Sequence, residues 1–468
     1  MDSTLACLAA WMPRQRWYAA KGRPPSLRLV AWWDPPSEAA AGSEDASSPD
    51  PRVRTFLVAD EGALPAVLYQ IPVVSRATAT VEASADHIIG SPEPGTTFID
   101  GPFDPAYTDA LLALVTTGGQ GRGPRAVATG HPTRSVRPGA VRTASVLTGE
   151  QSNTSLIYRS DDGSTPIICK VFRQLHPGLN PDIELQTALA DAGSTHVPQA
   201  IGSIEGAWPD LSTARGTVTG SLAFAQEFLP GVEDAWRVAL RAAAGGEDFR
   251  DPAHALGAAT AEVHVALAGL FPTRTAQPGD REAMVASWRR RLAIAIAEVP
   301  AIADRRDAIE AVYARSLDDA WPPLQRIHGD YHLGQVLHVP GRGWVLLDFE
   351  GEPLRPMSER IRADLPLRDV AGMLRSFDYV AGSIRLDNPD RSPEAVQDWA
   401  RIARRSFIAG YAAAASGAEL DVGSALLSAL ELDKAVYEAI YESRNRPTWV
   451  TIPLRAIARL VEDPAAAA

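Results

Sequence analysis

The stretch Ile327–Glu352, IHGDYHLGQVLHVPGRGWVLLDFEGE, places His328, His332, His338, Asp330, Asp348, Glu350, Glu352 and Gln335 between apolar runs. Polar groups in such a setting are costly unless each has a partner or a task. The spacing suggests the task. Gln335 lies 5 positions after Asp330, and Asp348 lies 18 after it. Phosphoryl transfer asks the protein for a carboxylate that orients the attacking hydroxyl and takes its proton, and for oxygen ligands that hold magnesium. The kinase signature His-x-Asp-x-x-x-x-Asn has the same Asp-to-amide interval, and a second, metal-binding Asp ends a later strand. Gln335 stands where that signature has Asn, and the apolar run Trp344–Leu347 carries Asp348 to a strand end. Gly329 permits a tight turn beside Asp330. A lone His-Gly-Asp would be weak; the combined intervals are specific.

The other parts of such a site belong upstream. Lys170 sits inside the β-branched run IICKVF, where an ammonium needs an anion. Glu184 follows in NPDIELQTAL, which opens like a helix, with Asn180 as cap, Pro181 in the first helical position and Asp182 in the first turn. A Lys170–Glu184 ion pair would hold nucleotide phosphates. Before them, LTGEQSNTSLIY puts Gly149, Ser152, Asn153 and Thr154 between two strands, where backbone and hydroxyl donors can turn onto phosphate. The sequence contains no G-x-x-x-x-G-K-[ST] loop. The segment Phe224–Gly231, with Gln226, Glu227 and Phe228, joins the β-rich part to the helical part and offers a backbone edge for adenine.

The elements that must position these groups follow from composition and periodicity. The chain has 468 residues, 46% hydrophobic and 22% charged, as expected for a globular protein of two or three domains. A net charge of −12 argues against nucleic acid or an anionic membrane as main partner. Its two cysteines, Cys7 and Cys169, form neither a disulfide framework nor a thiolate zinc site, which fits a reducing cytoplasm. No signal peptide or membrane-spanning run is legible, so a cytoplasmic location is expected. LRLVAWW and VRTFLVA read as strands around a Pro-, Ser- and acid-rich loop, Asp34–Pro51. Further strands are expected at AVLYQIPVV, SLIYRS, PIICKVF and SLAFAQEFL, and a helix at PAYTDALLALVTT. From Glu233 helical periodicity dominates, in DPAHALGAATAEVHVALAGL, REAMVASWRRRLAIAIAEV and DWARIARRSFIAGYAAAA, interrupted by two short strands around the polar cluster. Residues 1–90 read as a cap-like domain, 91–231 as an intermediate segment plus β-rich lobe, and 232–468 as a helical lobe.

The order strand, polar turn, strand with Lys170, helix with Glu184, connector, helices, HGD and DFE is that of a two-lobed kinase. The chain resembles the aminoglycoside-phosphotransferase branch of the eukaryotic-like kinases, and within it the actinobacterial maltokinases. The matching stretches are QRWYAAKGR, EQSNTSLIY, NPDIELQTAL, HGDYHLGQ, DFEGEP, LRDVAGMLRSFDY and DKAVYEAIYESRNRPTW, spread from Gln15 to Trp449. The resemblance implies an α+β, bilobal fold with an N-terminal β-rich cap. It implies transfer of phosphate from ATP, with Mg2+, to the anomeric hydroxyl of maltose, giving maltose 1-phosphate for α-glucan and glycogen synthesis. It makes Asp330 the base, Gln335 and Asp348 the metal ligands, and Glu350 a further acid there. IIGSPEPGTTFIDGPFDPAY matches the family loosely and Asp34–Pro51 looks like an insertion, so the cap is expected to differ in shape. A monomer is expected, with association with trehalose- or maltose-converting enzymes left open.

The acceptor side rests on ELDKAVYEAIYESRNRPTW, read as a helix ending near Asn445. Lys434, Glu438, Tyr441 and Asn445 share a face, and Tyr437, Tyr441 and Arg444 line an adjoining strip. Aromatic faces and polar groups there, with Trp449 as a stacking platform, suit a sugar. His328 is assigned to the same region, as a brace of the loop. Asp369 in LRDVAGML is expected to tie a helix to that loop. For His332 and His338 packing or solvent is the simpler reading. Three rival functions use the same residues. His328, Asp330, His332 and Asp348 resemble part of a zinc-hydrolase ligand set, but the other histidines show no pairing that would complete one. A non-catalytic regulator would lack one of the key groups. A kinase of another sugar, an amino sugar, an aminoglycoside or a choline-like alcohol would draw on Glu438 and Glu442.

Overall fold

The computed structural model describes residues 2–36, 51–63, 65–133, 142–147, 152–213, 216–352, 355, 357–388, 392–415 and 424–462. Most of the Asp34–Pro51 loop, and Gly149 of the polar turn, lie outside them. The chain divides into two units, residues 1–184 with 198–230, and residues 185–197 with 231–468.

The first unit carries two antiparallel sheets. One contains β1 (Leu27–Trp33), β2 (Arg52–Asp60), β3 (Val67–Ala77), β4 (Ile88–Glu93) and β5 (Thr96–Asp100), in the order β1-β2-β3-β5-β4. The other contains β6 (Gln120–Arg122), β7 (Val127–Pro132), β8 (Arg142–Val146), β9 (Asn153–Ser160), β10 (Ile167–Phe172), β12 (Ala200–Pro209) and β13 (Thr217–Glu227), in the order β6-β7-β12-β13-β10-β9-β8. The short β11 (Gln174–Leu175) leaves the second sheet's chain path and pairs with β3 of the first. Helix α1 (Asp2–Trp11) and Trp11, Trp17, Tyr18, Phe56, Tyr69 and Phe98 fill the core of the first sheet. Helix α2 (Pro105–Thr117) covers PAYTDALLALVTT; Asp104 caps it by accepting from the Ala106 N–H at 2.9 Å.

The two sheets are joined by buried polar contacts. Gln70 on β3, 2% exposed, donates its amide to the Phe172 and Leu222 carbonyls at 2.6 and 2.5 Å. Arg173, fully buried, meets both oxygens of Asp100 at 3.0 Å, and its guanidinium lies 4.9 Å from the centre of the Trp17 ring. Its Nε donates to the Thr154 hydroxyl at 2.8 Å.

The second unit is helical around a small sheet of β14 (Glu233–Asp234), β15 (Val336–Val339) and β16 (Gly343–Leu346). Helix α3 (Pro181–Asp191) contains the boundary between the units, and its later turns belong here. The remaining helices are α4 (Ala235–Gly245), α5 (Arg250–Leu270), α6 (Pro278–Glu298), α7 (Arg306–Arg315), α8 (Met357–Arg360), α9 (Leu367–Asp387), α10 (Pro393–Ala414), α11 (Ala425–Asn445) and α12 (Thr451–Glu462). Helix α9 is buried on nearly every side from Leu367 to Ile384, which makes it the centre of this unit. Helices α5 and α10 approach backbone to backbone: a Cβ on Gly257 would strike the Phe407 carbonyl, and one on Gly410 the His254 carbonyl. No helix among the described residues is long and apolar enough to cross a membrane.

Charged groups inside this unit are matched. Arg375 bonds Glu438 at 2.8 Å and Asp378 at 2.6 Å; Arg404 bonds Glu431 at 2.7 Å; Arg459 reaches Asp378 and Glu431, each at 2.8 Å. Burial opposes ionisation of Glu431, but Arg404 and then Arg459 outweigh it and hold the carboxyl down at about 2, against 4.5 normally. A carboxyl whose folded value is depressed contributes stability above its unfolded value and loses it as pH falls toward the folded one. The melting temperature of Glu431→Gln should therefore lie below wild type at neutral pH, and the gap should close between pH 4.5 and about 2. Thermal unfolding of both proteins across that range is the check; a constant gap refutes the network's role.

Candidate active site

In the first unit, Lys170 lies mid-sheet, opposite Ser155 on β9 and Phe224 on β13. Its Nζ is 3.3 Å from Oδ2 of Asp182, which is 2% exposed. Asp182 is fixed in place because its N–H donates to Asn180 Oδ1 at 2.8 Å, the helix cap expected from sequence. Sequence reasoning singled out Glu184 as the lysine's partner and passed over Asp182, read only as a first-turn acid. Glu184 is half-buried on the same helix. At the edge of the polar turn Ser152 is exposed, Asn153 half-buried, and Thr154 buried beneath Arg173. Gln226 and Glu227 end β13 and Phe228 follows it, all three half-buried. The N–H groups of Glu227 and Phe228 donate to the Gln199 and Pro166 carbonyls, each at 2.8 Å. Those two donors are thus engaged, and an adenine edge at this segment needs its other groups.

In the second unit, the loop before β15 is built around Asp369 of α9. Its carboxylate accepts from the N–H groups of His328 at 2.8 Å and Gly329 at 2.9 Å, and from His264 Nε2 at 3.1 Å. Burial opposes its ionisation, yet His264, then the His328 imidazole and the Gly329 N–H, hold it below the usual carboxylate range. The role expected of Asp369 is what is found. Gly329 has φ +84°, and a Cβ there would press on the Gly351 Cα at 3.1 Å, so the turn admits no side chain. His328, 2% exposed, braces the loop, with Nε2 2.8 Å from the Leu347 carbonyl and its ring against Tyr331 and Phe349.

Asp348 has φ +66°, alone among the described non-glycine residues in the left-handed region. A β-substituted residue pays to be there, and such strain concentrates where a side chain must be aimed. Gln335 donates Nε2 to Asp348 Oδ2 at 3.1 Å, a bond that leaves its amide oxygen as a separate acceptor. Carboxylate oxygens of Asp348 and Glu350 lie within 4.8 Å of each other. Carboxylate oxygens at this separation are the hard donors that Mg2+ prefers.

Lys434, projecting from α11, links this cluster to the acceptor side. Its Nζ is 2.7 Å from Glu352 Oε1 and 3.7 Å from Asp330 Oδ1. Burial works against the ammonium, but Glu352 and Asp330 outweigh it and raise its pKa above the ordinary lysine range. Glu352 in turn is held well below the usual carboxylate range: burial opposes its charge, while Lys434, Arg355 and Arg368 favour it. Arg360 stands among these acids; burial lowers its pKa, and Glu350, Asp330, Asp348 and Glu352 oppose that shift. Neither Glu352 nor Arg360 was assigned a role from sequence, and Arg360 carries no motif that could have flagged it.

The other acceptor candidates are spread along α11. Tyr437 lies beside Lys434, its ring centre 5.2 Å from Nζ. Glu438 faces inward and is bonded to Arg375 through Nε and Nη2 at 2.9 and 2.8 Å. Tyr441 is exposed, and its carbonyl accepts from the Asn445 amide. Arg444 is exposed and ion-paired with Glu298 of α6. Trp449 is half-buried under the Arg446 guanidinium, 4.3 Å from its ring centre. Of the strip, Lys434 and Tyr437 are the members brought near Asp330.

This fold and this constellation define a kinase that phosphorylates an alcohol. Residues 143–420, more than half of the chain, match the Phosphotransferase enzyme family, and the protein belongs to it. ATP and Mg2+ are the usual cofactors of such kinases. Residues 11–104 match the Maltokinase N-terminal cap domain. The chain is 33% identical over 307 residues to a glucosamine kinase of Streptacidiphilus jiangxiensis, covering 61% of this chain and 66% of that protein. It is 29% identical over 336 residues to a glucosamine kinase of Mycolicibacterium smegmatis, covering 68% and 79%. Among solved structures, a glucosamine kinase in complex with glucosamine, ADP and inorganic phosphate superposes with a TM-score of 0.68 at 26% identity, covering 97% of this chain and 98% of that one. It is a maltokinase-like kinase with an N-terminal cap.

Proposed function

We propose that the protein transfers the γ-phosphoryl group of ATP to the anomeric hydroxyl of a neutral sugar, maltose, yielding maltose 1-phosphate for α-glucan synthesis. The observation that carries the choice of sugar is the Lys434 ammonium 3.7 Å from the Asp330 carboxylate. An ammonium on the acceptor, such as the amine of glucosamine, would meet a fixed like charge beside the base. It would also find the nearby carboxylates committed, Glu352 to Lys434 and Arg355, Asp433 to Arg291, and Glu438 to Arg375. The curated relatives are glucosamine kinases, so an amino-sugar acceptor is the alternative this site must be tested against.

In this reading Asp330 accepts the proton of the attacking hydroxyl, with Lys434 holding that hydroxyl or its neighbour against the carboxylate. Gln335, Asp348 and Glu350 would hold Mg2+, which neutralises charge on the phosphates. Lys170, steadied by Asp182, would bind the nucleotide phosphates, with Glu184, Ser152, Asn153 and Thr154 as further contacts. Tyr437 and Tyr441 would offer faces to the sugar.

Lys434→Met should lower kcat/KM for maltose by roughly 10–100-fold, the range for losing a hydrogen bond to a charged group. The same change should raise glucosamine relative to maltose. Initial rates with maltose, glucose and glucosamine decide the matter. A wild-type preference for glucosamine sinks the neutral-sugar assignment while leaving the kinase chemistry intact.

A further inference from the structure

Glu352 is buried, and each of its carboxylate oxygens holds a cation. Oε1 lies 2.7 Å from Lys434 Nζ, and Oε2 accepts from Arg355 Nε at 2.9 Å. The chain of charges runs on: Arg355 reaches Asp364 at 3.5 Å, and Asp364 bonds Arg368 at 2.8 Å. The backbone holds the same parts together. Asp364 pairs through its N–H and its carbonyl, at 2.8 and 3.0 Å, with Gln325, which lies 3 residues before His328. Glu352 follows Gly351, whose Cα packs so close to Gly329 that a Cβ on Gly329 would lie 3.1 Å from it. The Glu352 carboxylate is thus fixed relative to the turn that carries Asp330.

Lys434 stands between two carboxylates at unequal distances, 2.7 Å from Glu352 and 3.7 Å from Asp330. Of the two, Glu352 acts more strongly on the ammonium. Among the described residues the longer contact is the one ion pair that Asp330 makes. The inequality matters for a base. A cation within roughly 4–6 Å of a carboxylate favours its charged form by about 1–3 pKa units, and the closer it comes the weaker the base. An oxygen that accepts from an ammonium is also closed to a hydroxyl, and a general base must reach the proton it takes.

We propose that Glu352 is a positioning residue for the transfer: it holds the Lys434 ammonium off Asp330, so that the base stays open to the acceptor hydroxyl while the ammonium remains near enough to orient that hydroxyl. This rests on the reading of Asp330 as the base. In the transfer the acceptor oxygen bonds the γ-phosphorus, the bond from that phosphorus to the oxygen shared with the β-phosphate breaks, that oxygen leaves with ADP, and the hydroxyl proton passes to Asp330. Glu352 takes part in none of these bonds; it acts through Lys434.

The test is a double-mutant cycle of Glu352→Gln and Lys434→Met on the whole protein. It reads kcat, both KM values and thermal melting, with whichever of maltose and glucosamine the wild type phosphorylates faster, so the choice of sugar does not enter. A glutamine has a single acceptor oxygen and cannot keep both Lys434 and Arg355. With Lys434 present, Glu352→Gln should lower kcat at least roughly tenfold, with KM for ATP nearly unchanged. In the Lys434→Met background the same change should move kcat by less than roughly threefold, because no ammonium is left to restrain. Glu352→Asp keeps the charge and should lie between Glu352→Gln and wild type. Equal losses in the two backgrounds, a wild-type kcat in Glu352→Gln, or a Glu352→Asp slower than Glu352→Gln overturns the proposal, as does a rate lost together with ATP affinity and melting temperature. Asp330→Asn is measured alongside. If it is slow while Glu352→Gln is silent, the base stands and this role of Glu352 falls; if Asp330→Asn keeps the wild-type rate, the base is misassigned and the proposal falls with it.

Discussion

Replacing Asp330 by Asn should cut kcat by roughly 10²–10⁴-fold, the usual worth of a positioned base, with KM for ATP nearly unchanged. Asn keeps the shape and the turn at Gly329, so the loop held by Asp369 should stay in place. What goes is the proton acceptor and the charge 3.7 Å from Lys434. Lys434 keeps Glu352 as partner at 2.7 Å, so the fold should not suffer. Separate measurement of kcat and of KM for both substrates reads the effect. A rate within tenfold of wild type would mean that another group takes the proton and that the spacing argument for Asp330 is mistaken.

The contrast with Asp348 sharpens that expectation. Asp348 holds a left-handed backbone and a bond to Gln335, so its replacement by Asn should weaken metal and nucleotide use together. Two carboxylates 18 positions apart in sequence should thus give different kinetic signatures.

These roles were legible to different degrees, and for physical reasons. Local periodicity located the strand with Lys170, the strand that leads to Asp348 and the helix with Lys434, because each is a run whose apolar pattern repeats. The Asn180 cap and the Asp369 anchor were likewise readable, since both act over a short stretch or on a loop already marked by its motif. Partners brought together by tertiary packing were not. That Asp182 reaches Lys170 depends on which face of α3 turns to the sheet, which the order of residues in the first turn does not state. Glu438 and Tyr441 share a helix stripe with Lys434, yet one turns into a buried arginine network and the other to solvent. Helix geometry gives a common stripe but not what packs against each part of it. Arg173 was invisible altogether. In sequence it is one more basic residue after a strand.

Arg173 is expected to produce the largest loss of stability. It is fully buried, bonded to both oxygens of Asp100 at 3.0 Å and to Thr154 at 2.8 Å, and covered by Trp17. Asp100 lies at the end of β5 and Thr154 near the start of β9, so one guanidinium spans the cap sheet and the lysine-bearing sheet. Burial already raises the Asp100 pKa, and only Arg173 and then His87 work against it. Arg173→Met fills the space but leaves Asp100 2% exposed with its counter-charge gone. Removing one member of a buried pair costs about 3–5 kcal/mol. Arg173→Lys should recover little of this, because an ammonium cannot reproduce the planar fork that serves Asp100 and Thr154 together. Adding Asp100→Asn to Arg173→Met should recover part of it by removing the stranded charge. Urea unfolding of the three variants tests the scheme. If Arg173→Met unfolds at the wild-type midpoint, or if the second change brings further loss rather than recovery, the cap is not held to the lysine-bearing sheet by this charge.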